Sequence, residues 1–436
     1  MKTYCSGGLL LAFALSVAVN QSFAQERDPR ERRPRDEKGH KGGAQEYSIE
    51  QAVSDQAQLH TIAFNGLAFI TGDFGADTFL PPGKVCDFFG FQYMRDIDAA
   101  RKGHNPVFLD RIAGNVLHIL NDEQRAAFAK AAHQDAGQLS SLAEKRLPLI
   151  KAFRRELDGD IPAGSKGLNK EAVKRYAGDI FAFDAELSFR RAQVFGQVAF
   201  SLTPEQKECL ARMKFGDFNT WPDIDTDRYK LPGGTEKLVN VAYMTYASEF
   251  FSWYAGSIKA DTYFCPERHG TYFGGFYMKD MPAMGKRNYD ISTSVTGDSG
   301  KEFLNLLTQE QRRNITVIPD LQRKTLLAII DVRRSIAAEL RKFINGGQAD
   351  EEKLLELGRR YGELDGEMSY YYATAFAKVN HALTGEQRKV LIKLRNLNGY
   401  VSAPAYIYSA PVKGEVKLPD TDCFFFQDVK PVLAAK

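Results

Sequence analysis

Cysteine is scarce, with five residues in 436, and none falls in CxxCH or at zinc-ligand spacing. That excludes c-type haem attachment and a zinc finger or ribbon. An excess of one charge is lacking too. Fifty-eight basic against 55 acidic residues leave +3, too little to draw the chain onto nucleic acid. Neither G-x-S-x-G nor H-E-x-x-H occurs, and Gly297 to Glu302 lacks the spacing and the Ser or Thr of a phosphate loop. Asp223 to Asp227 starts like a calcium loop, but Arg228 stands where its glycine belongs and Gly234 where its bidentate glutamate belongs. Past the first two dozen residues no apolar run is long enough to span a bilayer. Strand signals are sparse, Ala403 to Tyr408 alone reading as extended. No catalytic constellation or cofactor site emerges, so the chain is read as a non-enzyme that works without a cofactor.

The first stretch reads as an export signal: Lys2, an apolar run from Gly7 to Val19, then Ser22-Phe23-Ala24, with cleavage expected after Ala24. A periplasmic or secreted protein follows from it. In that compartment Cys86, Cys209, Cys265 and Cys423 are free to form disulfides, with three pairings open. Residues 25–46 mix charge with Pro and Gly and hold almost nothing apolar, so a disordered linker is expected there.

What the chain does have is one short box, four times over: Leu120-Asn121-Asp122-Glu123-Gln124, Leu202-Thr203-Pro204-Glu205-Gln206, Leu307-Thr308-Gln309-Glu310-Gln311 and Leu383-Thr384-Gly385-Glu386-Gln387. Each should start a helix, because the Asn or Thr oxygen accepts from the first-turn N–H groups and the Gln three residues on reaches back to the cap's own N–H. On that reasoning replacing the Gln should cost less than replacing the Thr. The boxes also belong to a larger repeat. Phe88 to Asp96 matches Tyr272 to Asp280 at a shift of 184, and the shift is 187 at the first box of each copy and 181 at the second. The chain therefore divides into repeat 1 (47–230) and repeat 2 (231–436, with a non-helical tail).

Within each copy the pattern predicts an entering helix (48–71 and 235–256), an aromatic loop, a short helix to the first box, and a helical hairpin running to the second. Asp158-Gly159 and Asn345-Gly346-Gly347 are the expected helix stops, and Pro148 the expected kink. The fold expected is all-α: two tandem helical-hairpin repeats with aromatic loops. Each copy alone is a thin layer, so a pseudo-twofold packing of one on the other is expected, either within a monomer or as part of a homodimer.

Two features bear on partners. Phe88, Phe89 and Tyr93 in copy one, and Tyr272, Phe273 and Tyr277 in copy two, concentrate rings in a loop, where they either plug the helical unit or form an apolar docking surface. Asp184 and Glu186, matched by Asp365 and Glu367, lie two apart and do not face each other on a helix; with Arg190 and Arg191 they read as a solvated ion-pair face. The histidines have no His counterpart at matched positions, which argues against a duplicated metal site.

An exported helical chain with paired L-T-x-x-Q boxes around a long hairpin resembles the Spy/CpxP group of periplasmic proteins. The second box of each copy, at Thr203 with Gln206 and Thr384 with Gln387, matches best, and the resemblance covers about residues 106–214 and 300–396. It implies ATP-independent binding of unfolded or envelope proteins on a helical surface, with a stress-response role. A metal or small-ligand sensor is the alternative within the same resemblance. This chain departs from the group in its tandem units, its entering helices with aromatic loops, its tail, and Asn121 in place of Thr.

Overall fold

A computed structural model describes residues 53–72, 88, 94–95, 106–213, 222, 224–262, 299–395, 406–407, 410–411, 418 and 420–426. The expected signal (1–24) and linker (25–46), with Cys86, Cys265, Phe89, Tyr93, Tyr272, Phe273 and Tyr277, lie outside these residues.

The fold is all-α. Copy one supplies α1 (Asp55–Thr71), α2 (Pro106–Ile119), α3 (Asp122–Glu144), α4 (Leu147–Asp158), α5 (Lys170–Ser201) and α6 (Pro204–Arg212). Copy two supplies α7 (Lys237–Ala255), α8 (Ile258–Thr262), α9 (Ser299–Leu306), α10 (Gln309–Thr316), α11 (Ile318–Leu340), α12 (Glu351–Ala382) and α13 (Gly385–Arg395). A small antiparallel patch, β1 (Met94–Arg95), β2 (Tyr406–Ile407) and β3 (Ala410–Pro411), pairs Met94 with Ile407 and Tyr406 with Pro411. The extended reading near Tyr406 thus has a place.

Local chemistry sets the helix ends. Gly159 (φ 77°) and Gly346 (φ 72°) take the left-handed conformation past α4 and past the 3₁₀ turn Arg341–Asn345, where a side chain would be strained. Asn169 and Asp350 cap α5 and α12 through their side chains. Prolines break the first hairpin arm, but at different points. Pro148 sits at the start of α4, after 23 residues of α3, while Pro319 starts α11 after only eight residues of α10.

Packing crosses between the copies. The two 32-residue helices α5 and α12 lie antiparallel in close contact. Glycine makes this possible: a Cβ on Gly362 would stand 2.2 Å from the Ala177 carbonyl oxygen, and one on Gly358 would stand 2.5 Å from the Ala185 Cβ. The contacts Ala185 with Gly358 and Ala177 with Gly366 exchange under the shift of 181 that relates the two helices. The entering helices are also exchanged. Helix α1 packs on α9, α12 and α13 of copy two, and α7 packs on α2 and α3 of copy one. Each sequence repeat therefore completes its apolar packing with a helix from the other. One continuous buried cluster runs through all of it, from Ile62 and Phe69 to Phe376 and Phe425.

Candidate functional site

The four boxes meet in pairs, one pair per copy. In copy one Asn121 and Thr203 cap α3 and α6, and each box closes on itself: Gln124 N–H donates to Asn121 Oδ1 (2.9 Å) and Gln206 N–H to Thr203 Oγ1 (3.2 Å). The cap N–H groups of Asn121 and Thr203 donate back to Gln124 Oε1 and Gln206 Oε1, both at 2.9 Å. The two glutamines then bind each other. Gln206 Nε2 donates to Gln124 Oε1 (2.8 Å), and Gln124 Nε2 to Gln206 Oε1 (3.2 Å). The remaining donors reach the last carbonyls of the preceding helices, Gln206 Nε2 to Ile119 O (2.8 Å) and Gln124 Nε2 to Ser201 O (3.2 Å). Two donor hydrogens and the acceptor oxygen of each amide are thereby used.

Copy two repeats the arrangement. Thr308 and Thr384 cap α10 and α13, Gln387 Nε2 donates to Gln311 Oε1 (2.9 Å) and Leu306 O (3.1 Å), and Gln311 Nε2 donates to Gln387 Oε1 (3.2 Å) and Ala382 O (2.7 Å). The box leucines Leu120, Leu202, Leu307 and Leu383 are all buried. Each clasp thus ties two helix starts to two helix ends, satisfying backbone groups that are orphaned at helix termini. Capping was legible in the spacing. The amide pair was not, because the two glutamines stand 82 and 76 residues apart.

The expected solvated ion-pair face is corrected. Arg191 and Glu249 form a fully buried pair, NH1 to Oε2 at 3.0 Å, on α5 and α7, and Asp184 and Asp365 are buried as well. Only Glu186 with Arg190 keeps the solvated character expected. The Arg191 guanidinium also lies 4.4 Å from the Tyr246 ring centroid, and the Tyr246 hydroxyl donates to Asp135 (2.8 Å). Burial pushes the Tyr246 phenol well above its ordinary value. The pair joins α5 of copy one to α7, Glu249 being a partner 58 residues away that helix periodicity does not reveal.

Phe88, from the aromatic loop, is buried between copies, 5.4 Å from the Tyr361 ring and 6.3 Å from that of Phe181, with the Arg333 guanidinium 5.3 Å from its ring. Of the two roles open to the loop, this ring takes that of a plug. Cys209 and Cys423 are free thiols. His118 Nδ1 lies 2.6 Å from the Tyr229 hydroxyl, and burial, then Arg125 and Arg228, lowers its pKa. Among the described residues no three His, Cys, Asp or Glu side chains group as a metal site requires, and no helix is long and apolar enough to cross a membrane.

The two copies differ on their outer faces. Val317, Leu321 and Leu327 are exposed on and beside α11, where the shift of 187 places Lys130, Gln134 and Ser140 in copy one. Phe200, next to the first clasp, is 79% exposed. Folding does not demand these apolar groups, since the matching positions of the same chain are polar. No family model matches the chain, and neither a curated protein nor a solved structure matches it.

Proposed function

We propose that the chain is an exported, ATP-independent binding protein of Spy/CpxP type that holds unfolded or envelope proteins. The single observation that carries this reading is the clasp: the motif on which the resemblance rests is built in the same way in both copies and is used to fix helix ends, leaving outer helix faces free to bind. Exposed Val317, Leu321 and Leu327, interspersed with Arg323, Lys324 and Asp331, supply weak apolar contact with charged flanks, a chemistry suited to reversible capture of apolar segments. The exchanged entering helices and the α5–α12 contact support a single chain doing what two subunits do in the smaller proteins it resembles. The amino-terminal pattern supports export. Light scattering from a chemically denatured client, diluted with and without the protein and without nucleotide, tests the reading. Suppression at stoichiometric amounts is expected; full aggregation beside a folded protein counts against it.

A further inference from the structure

The tip of the first hairpin is built differently from the tip of the second. Residues 159–169 join α4 to α5, against 346–350 in copy two, a loop six residues longer. In copy two the tip closes on itself: Glu339 accepts from Asp350 N–H (2.8 Å) and pairs with Lys342 and Lys353. Copy one has Ala152 at the position of Glu339 and Arg155 at that of Lys342. Its cation turns outward instead, to Asp160 (2.9 Å) and to Asp422 of the carboxy-terminal segment (2.7 Å).

That segment, residues 421–426, lies in the groove the longer loop creates. Its backbone is read by the loop, Asn169 N–H donating to Phe424 O (2.7 Å) and Ser165 Oγ to Phe425 O (3.0 Å). Its side chains are read too. Arg155 NH1 donates to Thr421 Oγ1 (3.0 Å), the Phe424 ring packs edge-on to Tyr176 at 5.0 Å, and the Arg155 guanidinium lies 5.0 Å from the Phe425 ring centroid. The tail is itself a 3₁₀ turn, Asp422–Phe424, closed by Phe424 N–H to Thr421 O (3.1 Å) and Phe425 N–H to Asp422 O (2.8 Å), so what is held is a turn with two outward carbonyls, one charge and two aromatic anchors.

We propose that this groove is a recognition site for turn-forming segments carrying an acidic residue followed, two positions on, by two aromatics, and that residues 421–426 are its resident occupant. A protein segment of that pattern competes with the tail for Arg155, Asn169 and Tyr176. This rests on the reading of the chain as a protein-binding protein. Its test involves no client aggregation, so the two fail separately.

The probe is a fluorescein-labelled synthetic peptide of residues 420–426 carrying Cys423→Ser, followed by anisotropy with the full chain. Phe424→Ala with Phe425→Ala disables the resident tail and should tighten peptide binding at least tenfold over the native chain. Adding Arg155→Ala should lose at least tenfold of it. Equal binding by the native and tail-disabled chains, or indifference to Arg155→Ala, overturns the proposal. The native chain gives a second reading that needs no substitution: Cys423 is itself part of the docked tail and is buried there, so its alkylation, followed by mass spectrometry, should speed up at least threefold with excess peptide. Because a tethered segment acts at about millimolar effective concentration, the peptide is taken to several millimolar. An unchanged rate there likewise overturns the proposal.

Discussion

Gln206→Ala should destabilise the protein more than Thr203→Ala, the reverse of what the capping box alone implies. Thr203→Ala removes one acceptor, that of the Gln206 N–H at 3.2 Å on an exposed turn, and should cost about 1 kcal/mol. Gln206→Ala removes the acceptor for Thr203 N–H (2.9 Å), the donor to Ile119 O (2.8 Å) and the donor to Gln124 Oε1 (2.8 Å). At roughly 0.5–1.5 kcal/mol net per bond, with water replacing the exposed one, the loss is about 2–3 kcal/mol. It also removes the Gln206 Oε1 acceptor of the buried Gln124 Nε2 (3.2 Å), leaving that amide with Asn121 N–H and Ser201 as partners. A Gln124→Ala, Gln206→Ala double variant should therefore cost less than the sum of the single ones, a coupling of about 0.5–1.5 kcal/mol. Urea unfolding, with midpoints compared at constant m, measures all four corners of the cycle. Additive losses, or a Gln206→Ala midpoint above that of Thr203→Ala, would refute the clasp as an energetic unit.

Three further outcomes are expected. Gly362→Ala should unfold the protein at distinctly lower urea, about 1–3 kcal/mol or more, because its Cβ meets the Ala177 carbonyl; Gly137→Ala, with nothing within 4 Å, should stabilise by about 0.5–1 kcal/mol. Glu249→Ala takes a buried carboxylate away from buried Arg191 and should cost about 3–5 kcal/mol, whereas Arg191→Met with Glu249→Leu should recover most of that; thermal melts of the two variants beside the native chain distinguish them. Burial alone would raise the Glu339 carboxyl, but hydrogen bonds from Lys342, the Asp350 N–H and Lys353 outweigh it and hold the pKa at about 2. A depressed carboxylate contributes stability above its unfolded value and loses it as pH falls from about 4.5 towards 2. The stability gap between native protein and Glu339→Gln, from urea curves at pH 7, 4 and 2.5, should accordingly narrow across that window; a gap constant with pH would contradict it.

Much of the fold was legible because it is written locally. Caps at Asn121, Thr203, Thr308 and Thr384, left-handed stops at Gly159 and Gly346, and breaks at prolines all act within a turn of helix, and matched segments at shifts of 181 to 187 pointed to the two repeats. What escaped was chemistry between residues far apart in the chain. Arg191 beside Arg190 looks like a solvated cation until α7 brings Glu249 to it. The box glutamines look like half of a cap until their partners arrive from 82 and 76 residues away. The exchange of entering helices follows from no periodicity, since α1 and α7 are apolar enough to pack on either copy. The change of shift from 187 to 181 did mark the longer tip loop of copy one, but nothing in its sequence named the tail as its occupant.

The central claim is that outer apolar side chains of copy two capture unfolded protein while the clasps only hold the scaffold. It is tested most directly by comparing the native chain with a Leu321→Gln, Leu327→Gln variant in suppressing aggregation of one denatured client, with urea midpoints measured alongside. Both positions are close to half exposed, so the midpoint should stay within about 0.5 kcal/mol of native while suppression falls at least threefold. Undiminished suppression by a variant of native stability would contradict the account.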